Sequence, residues 1–139
     1  MSRLSLTAQT LHQNRLIGVG LSQKIYNKRT GGLADNTGME RIYQSIYCIL
    51  NTMLGERVFL PEFGSRLHEL VFEPNDEIVA DLAKLYICDA LAKWEKRITV
   101  TDVYVRANDH TVACEIRFVL NKSNILGNYI YEFNRFPSI

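Results

Sequence analysis

Two stretches of the chain repeat apolar residues at the three- and four-residue spacing of an amphipathic helix. The first follows Thr37-Gly38-Met39-Glu40, a capping box in which the hydroxyl and the carboxylate each satisfy a free backbone N–H. Gly55 is placed to end this helix in a left-handed conformation. The apolar positions of the predicted helix are Ile42, Ile46, Ile49, Leu50 and Met53.

The second helical stretch follows Pro74, where Asn75 is a good N-cap and Asp76 and Glu77 favour the positive end of the helix dipole. The pattern predicts a core-facing line of Ile78, Leu82, Leu85, Cys88, Leu91 and Trp94, with Val79, Ala83, Tyr86, Ile87 and Ala90 alongside. Residues 66 to 72 can form a short helix before it. We therefore expect the long helix to be the centre of the core.

After the second helix the spacing becomes the alternation of β-strands. Ile98 and Val100 share one parity whereas Val103 and Val105 take the other, which predicts a bulge near Thr101-Asp102. A hairpin connection at Asn108-Asp109 leads to a strand whose alternate positions are apolar, namely Val112, Cys114, Ile116, Phe118 and Leu120. A third strand, Tyr129 to Phe136, is predicted after a polar linker at 121–128.

Together these elements predict an α+β fold: two main helices plus a short one, packed on an antiparallel sheet of about three strands. Residues 1–36 are predicted to be an extended N-terminal arm with at most one strand, and 37–139 the folded domain. A sheet this small has an open edge. The aromatic strand with Tyr129, Tyr131 and Phe133 is a candidate for pairing with another chain, the alternative being an ordinary internal strand.

Composition and charge exclude several function classes. The 139 residues carry a formal charge of +1, so no field concentrates nucleic acid, and we expect no nucleic-acid partner. No apolar run is long enough to span a bilayer, and the N-terminus lacks a signal pattern, so no membrane insertion is expected. Cys48, Cys88 and Cys114 are odd in number and widely spaced, which favours core residues in a reducing compartment.

The stretch GERVFLPEFGS, residues 55–65, combines two carboxylates with two glycines and a proline. Glycosidase chemistry would require one of Glu56 and Glu62 to lie in an apolar pocket opposite the other, and nothing in the spacing demands that geometry. The stretch is therefore interpreted as a structural turn. Its turn residues are Gly55, Pro61 and Gly64, and its apolar residues Val58, Leu60 and Phe63 are expected to contact the core.

Other chemistry is not indicated. His12, His68 and His110 lack metal-ligand spacing, and Gly18-Val19-Gly20 lacks the third glycine of a dinucleotide motif, so no metal or cofactor is expected. Glu95-Lys96-Arg97 lies where the long helix gives way to the first strand, beside the single tryptophan. The three residues are either solvated charges of a helix end or a docking site that uses the planar guanidinium.

The order of motifs closely resembles the lysozyme-like baseplate wedge proteins of contractile-tailed phages, type VI secretion systems and extracellular contractile injection particles. The resemblance covers about residues 38 to 120. The matching residues are Ser45-Ile46, Ile49-Leu50, Thr52, Gly55-Glu56-Arg57, Pro61 to Ser65, Leu67, Phe72-Glu73-Pro74, Ala90-Leu91 and Trp94 to Ile98.

The resemblance implies a non-enzymatic subunit that links the baseplate wedge to the sheath and templates the first sheath ring by strand pairing. It implies sheath protein and wedge subunits as partners, with tube or hub proteins beside them, and six copies around a ring. The expected location is a virion baseplate or an equivalent particle assembled in the bacterial cytoplasm. The family's Glu-Pro-Arg docking motif maps onto Glu95 and Arg97, but Lys96 replaces its proline. Alternatives are a baseplate-associated peptidoglycan hydrolase and an adaptor outside such machines.

Overall fold

The computed structural model describes residues 19–27, 32–74, 76–108 and 110–135. Their elements are strands β1 (Val19–Asn27) and β2 (Gly32–Thr37), helix α1 (Met39–Asn51), a 3-10 helix (Leu67–Phe72), helix α2 (Asp76–Trp94), and strands β3 (Ile98–Ala107), β4 (Thr111–Leu120) and β5 (Leu126–Asn134). This composition confirms the predicted α+β class. Neither α1 nor α2 has the length and apolarity needed to cross a membrane.

The described chain divides into two compact units at Ser45 and Ile46. In the first unit β1 and β2 form an antiparallel hairpin with Asn27 opposite Gly32 and an irregular register between Leu21 and Tyr26. The predicted arm therefore contains two paired strands where at most one was expected. The rest of that arm lies outside the described residues.

Helix α1 begins close to the predicted position and ends earlier than predicted. Gly38 has a φ of 64°, so helical geometry starts at Met39 and not at Gly38, as a capping box from Thr37 would require. The helix ends at Asn51, and the hydroxyl of Thr52 donates to the carbonyl of Cys48 at 2.6 Å. Gly55 does have the predicted left-handed φ of 85°, but it lies in the following loop. The hydroxyl of Thr52, and not the predicted left-handed Gly55, therefore satisfies a carbonyl at the end of the helix.

The second unit is built on a three-stranded antiparallel sheet in the order β3-β4-β5. The register shifts between Val100 and Asp102, which pair with Phe118 and Arg117, so Thr101 is the extra residue of the predicted bulge. β5 starts at Leu126, earlier than predicted, because the connection from β4 needs only residues 121–125. Of the predicted third strand, Phe136 lies outside the described residues. Asn108 donates its backbone N–H to Thr111, closing the predicted hairpin.

The central strand β4 buries one face completely. Val112, Cys114, Ile116, Phe118 and Leu120 are the buried positions, as the alternation predicted. Each such side chain contributes about 1.5–3 kcal/mol when withdrawn from water. Burial also raises the pKa of the Cys114 thiol to about 12, so this cysteine is a neutral core residue. Cys48 and Cys88 are half-buried free thiols.

The core face of α2 differs from the predicted one. Val79, Ala83, Ile87, Ala90 and Leu91 are its buried residues, and the helix packs on β3 and on the 3-10 helix. Ile78 and Leu85, which were predicted to face the core, are exposed. The predicted line advances mostly in steps of three residues, which turns it through about 200° around the helix, so it cannot remain on one face. The buried residues keep within about 120°.

Arg135, just after β5, is 1% exposed and joins three parts of the second unit. Its guanidinium donates to the carboxylate of Asp76 at the start of α2, to the carbonyl of Glu73, and to the carbonyl of Asn108 at 3.3 Å. Its own N–H donates to the carbonyl of His110 at 2.8 Å. A buried guanidinium of this kind is stable because both of its terminal nitrogens donate to acceptors. The sequence pattern gave no sign of this group.

We expect Arg135→Gln to lower the free energy of unfolding by about 2–3 kcal/mol, because the charge-assisted hydrogen bonds to Asp76 and two carbonyls are lost. Urea denaturation measures the change. Arg106→Gln, at an exposed position of β3, is the matched control and should change stability by less than about 0.5 kcal/mol. Equal losses in the two variants would show that the Arg135 contacts do not hold the fold.

Candidate functional site

The loop 52–66, between α1 and the 3-10 helix, is held by hydrogen bonds at both its base and its centre. At the base the N–H of buried Ser65 donates to Thr52 at 2.9 Å, and its hydroxyl donates to the carbonyl of Leu50 at 2.9 Å. At the centre Gly55 donates to the carbonyl of Pro61 at 2.7 Å. These bonds hold the loop in one conformation. Gly55 and Pro61, which are joined at its centre, are two of the predicted turn residues.

Gly64 is required for a different reason from Gly55. Its φ is 121°, and a Cβ built on it would lie 2.3 Å from the carbonyl oxygen of Thr52. Gly55 has a φ of 85°, but a Cβ there would meet nothing within 4 Å. Gly64 therefore allows a close approach between two backbone segments, whereas Gly55 supplies only a backbone conformation.

The tip of the loop does not contact the core as predicted. Val58 is 87% exposed, Leu60 is also exposed, and the neighbouring Phe59 is 99% exposed. The bond from Gly55 to Pro61 draws the ends of this segment together, so its centre points to solvent. Of the three residues predicted to reach the core, only Phe63 is half-buried, with its ring 5.1 Å from that of Trp94.

The hydrogen bonds of the two loop carboxylates are typical of structural residues and not of catalytic ones. Glu56 accepts from the backbone N–H of Met53 at 2.9 Å, and Glu62 accepts from Lys93 at 3.1 Å. Both side chains are exposed. A glycosidase acid needs an apolar, water-poor surrounding, and neither carboxylate has one. Within the described residues no group of three or more His, Cys, Asp or Glu side chains is arranged to hold a metal ion.

Glu95, Lys96 and Arg97 do lie together at the end of α2, but Glu95 points inward. Its carboxylate is 3% exposed and accepts from Arg97 Nε at 2.7 Å and from Arg97 Nη2 at 2.6 Å. This hydrogen-bonded carboxylate raises the pKa of the Arg97 guanidinium. The outward cations are Lys96, which is exposed, and the partly exposed Arg97.

A side chain from the β4–β5 turn fixes this helix end. Asn121 donates its amide to the carbonyl of Lys96 at 2.9 Å, and its backbone N–H donates to the carbonyl of Arg97 at 2.9 Å. Lys96 Nζ donates to the carbonyl of Ala92 at 2.8 Å, one of the last free carbonyls of the helix. Hydrogen bonds from Asn121 and from the Lys96 side chain therefore hold the backbone that carries the two outward cations.

β5 is an edge of the sheet: among the described strands it pairs with β4 and with no other. Tyr131 is buried, Tyr129 and Phe133 are half-buried, and the rings of Tyr47 and Tyr131 lie 6.5 Å apart. Burial raises the pKa of Tyr131 to about 12, so its phenol is neutral. The three aromatic side chains belong to the covered face, so a chain adding to this edge would meet backbone groups and not these rings.

Comparison with known proteins identifies relatives of one kind. Residues 36–125 match the family model described as baseplate wedge protein gp25. Baseplate wedge protein gp25 of Enterobacteria phage T4 is 36% identical over 86 residues, which are 58% of this chain and 63% of that protein. Baseplate protein W of Escherichia phage P2 is 36% identical over 67 residues, which are 48% of this chain and 58% of that protein. The chain thus spans less than two thirds of both relatives.

Two solved structures share the fold. One, from Geobacter sulfurreducens, is provisionally named a tail lysozyme; it has a TM-score of 0.66 and 30% identity, over 73% of this chain and 94% of that one. The other is from the baseplate of the anti-feeding prophage, with a TM-score of 0.64 and 18% identity over 88% of this chain and 89% of that one. At 18% identity the second likeness concerns the fold alone.

We expect Gly64→Ala to destabilise the chain by about 3 kcal/mol or more, because the added methyl overlaps a backbone carbonyl and the left-handed conformation opposes a side chain. Gly55→Ala is the matched variant, with open space around the methyl, and should cost only about 1 kcal/mol. Equilibrium urea unfolding of both variants measures the difference. A Gly64 variant no less stable than the Gly55 variant would contradict the close approach.

Proposed function

The chain belongs to the gp25 family of baseplate wedge proteins, and from this membership we propose that it is a structural subunit joining the wedge of a contractile baseplate to the sheath. The relatives from phages T4 and P2 are named as baseplate components, which supports the assignment to a contractile-tail baseplate. In this proposal the partners are wedge subunits and sheath protein, and the copies lie around a ring, six to a particle.

The observation that carries the sheath part of this proposal is the edge strand β5. It is nine residues long, Leu126–Asn134, and carries only one charged residue, Glu132. Proteins usually shorten or charge such an edge to prevent pairing, whereas β5 is long and has a single charge. Its backbone groups are therefore suited to accept a strand from the sheath and to template the first sheath ring.

The wedge part of the proposal rests on the end of α2. Because Glu95 is satisfied by Arg97 and buried, it is not available to a partner, and the surface offered for docking consists of Lys96 and the exposed part of Arg97. This arrangement gives the three residues two different roles. Glu95 holds the guanidinium in place, and the cations recognise acidic groups on a wedge subunit.

A peptidoglycan hydrolase is the second candidate, because the Geobacter sulfurreducens neighbour carries the name tail lysozyme. The bonded, exposed state of Glu56 and Glu62 opposes it, since the general acid of such an enzyme lies in an apolar, water-poor pocket and neither carboxylate does. We therefore propose an assembly role without catalysis.

Binding of purified sheath protein should protect part of β5 from hydrogen exchange. A strand adding to an edge bonds alternate N–H groups, so about half of the β5 amides should exchange at least about tenfold more slowly in the complex. Residue-resolved exchange measured by NMR checks this. The amides of β3, the other edge strand, are the internal control and should not change. A complex in which β5 exchange is unaltered would contradict strand pairing.

Docking to the wedge should depend on Lys96. Lys96→Glu reverses an exposed charge, and we expect affinity for purified wedge subunits to fall at least about fivefold in calorimetry, with a fold stability cost below about 1 kcal/mol. Lys122→Glu, in the β4–β5 turn, is the matched control and should keep full affinity. Arg97→Ala is a poorer probe, since it leaves buried Glu95 without the guanidinium and costs about 3 kcal/mol of stability. Equal affinities of the Lys96 and Lys122 variants would contradict the docking role.

A further inference from the structure

A groove of about 210 Å³ lies between α2 and the loop 52–66. Gly64, Ser65, Tyr86, Ala90 and Trp94 are among the residues that line it. Leu54 and Leu85, also in the lining, are 47% and 53% exposed. The loop that forms one wall is held by the hydrogen bonds of Ser65. The groove is therefore preformed.

An apolar line on α2 leads to this groove. Ile78 and Leu85 are seven residues apart, which places them on nearly the same line of the helix, about 10.5 Å apart along its axis. Leu82 lies between them, half-buried. The sequence pattern indicated these residues as core contacts, whereas the structure leaves Ile78 44% and Leu85 53% exposed. A helix that is apolar on more than one side buries the second side against something else.

Four charged residues line the groove, Glu62, Arg66, Asp89 and Lys93, and three of them form ion pairs. Glu62 is paired with Lys93 at 3.1 Å, and Arg66 is paired with Glu69 at 2.9 Å. The carboxylate of Asp89 lines the groove and forms no hydrogen bond or ion pair with the residues that the structure describes. It lies four residues after Leu85, one turn along the same side of α2.

We propose that this groove binds an amphipathic helix of another baseplate protein, a helix that carries a large apolar side chain with a Lys or Arg one turn away. The apolar side chain enters the groove beside Leu85, and the cation pairs with Asp89. The seven-residue spacing of Ile78 and Leu85 is the repeat with which two helices pack side by side, which favours a helix over an extended strand. The proposal adds a second docking surface to the proposed function, separate from the Glu95-Lys96-Arg97 segment and from the edge of β5.

The single tryptophan gives a direct test, because Trp94 lines the groove. The probe is a stapled helical peptide of about 20 residues with leucines at heptad spacing and lysines flanking them, without aromatic residues. The matched control peptide has glutamates in place of the lysines. Titrated into the full chain, the lysine peptide should change Trp94 fluorescence saturably and bind at least about tenfold more tightly than the glutamate peptide.

Two variants assign the binding to the groove. Asp89→Asn should remove most of the preference for the lysine peptide, and Leu85→Glu should weaken its binding at least about tenfold. Phe72→Glu, at an exposed apolar position outside the groove, is the control and should bind like the unaltered chain. Equal affinity for both peptides, no response of Trp94, or equal effects of the Leu85 and Phe72 variants would overturn the proposal. The titration uses the isolated chain, so it can fail while strand pairing of β5 holds, and the reverse.

Discussion

Burial of one face of β4 is the constraint on which the second unit depends. Its five inward side chains are nearly inaccessible to water, and β3 and β5 bond to it on either side. Because the buried face must be covered, α2 packs against the sheet at β3, and on the opposite face Tyr104, Glu115 and Ile130 lie next to one another across the three strands. Among the described strands β4 is the middle one of three, so both of its neighbours are edges. The surface that we assign to the sheath thus follows from the way the core is built.

The charged side chains of this chain are used largely to join its own elements. Arg135 connects the end of β5 with the start of α2, Arg97 compensates Glu95, and Lys93 connects α2 with the loop through Glu62. The formal charge of +1 is therefore the balance of many opposite charges, and several of these charges form pairs within the chain. Lys96 and Asp89 lie outside these ion pairs, and they are the charges that we propose contact a partner.

The sequence predicted the elements better than it predicted which residues they bury. In β4 and at the bulge, the alternation of apolar residues and its change of parity were sufficient to identify the buried positions. Successive residues of a strand point to opposite faces, so the apolar positions can belong to one face only. On α2, apolar residues lie around most of the helix, so spacing alone could not select the face formed by Val79, Ala83 and Ile87. Gly55 and Gly64 were recognised as turn residues. The exposed tip at Phe59 was not predicted, because it follows from the bond between Gly55 and Pro61 that closes the loop. The buried Arg135 was not predicted either, because its contacts are with residues distant in the sequence.

The bulge at Thr101 makes the two edges of the sheet unequally suited to pair with a further strand. A bulge twists its strand and interrupts the regular row of backbone groups, so β3 is a poor template for a further strand. β5 has a continuous register with β4 over nine residues and no such interruption. In the strand pairing that we propose, a further strand is therefore expected at the β5 side alone. Two copies of the chain that pair through β3 of one and β5 of the other would have to use the interrupted edge, so this mode of end-to-end pairing is disfavoured.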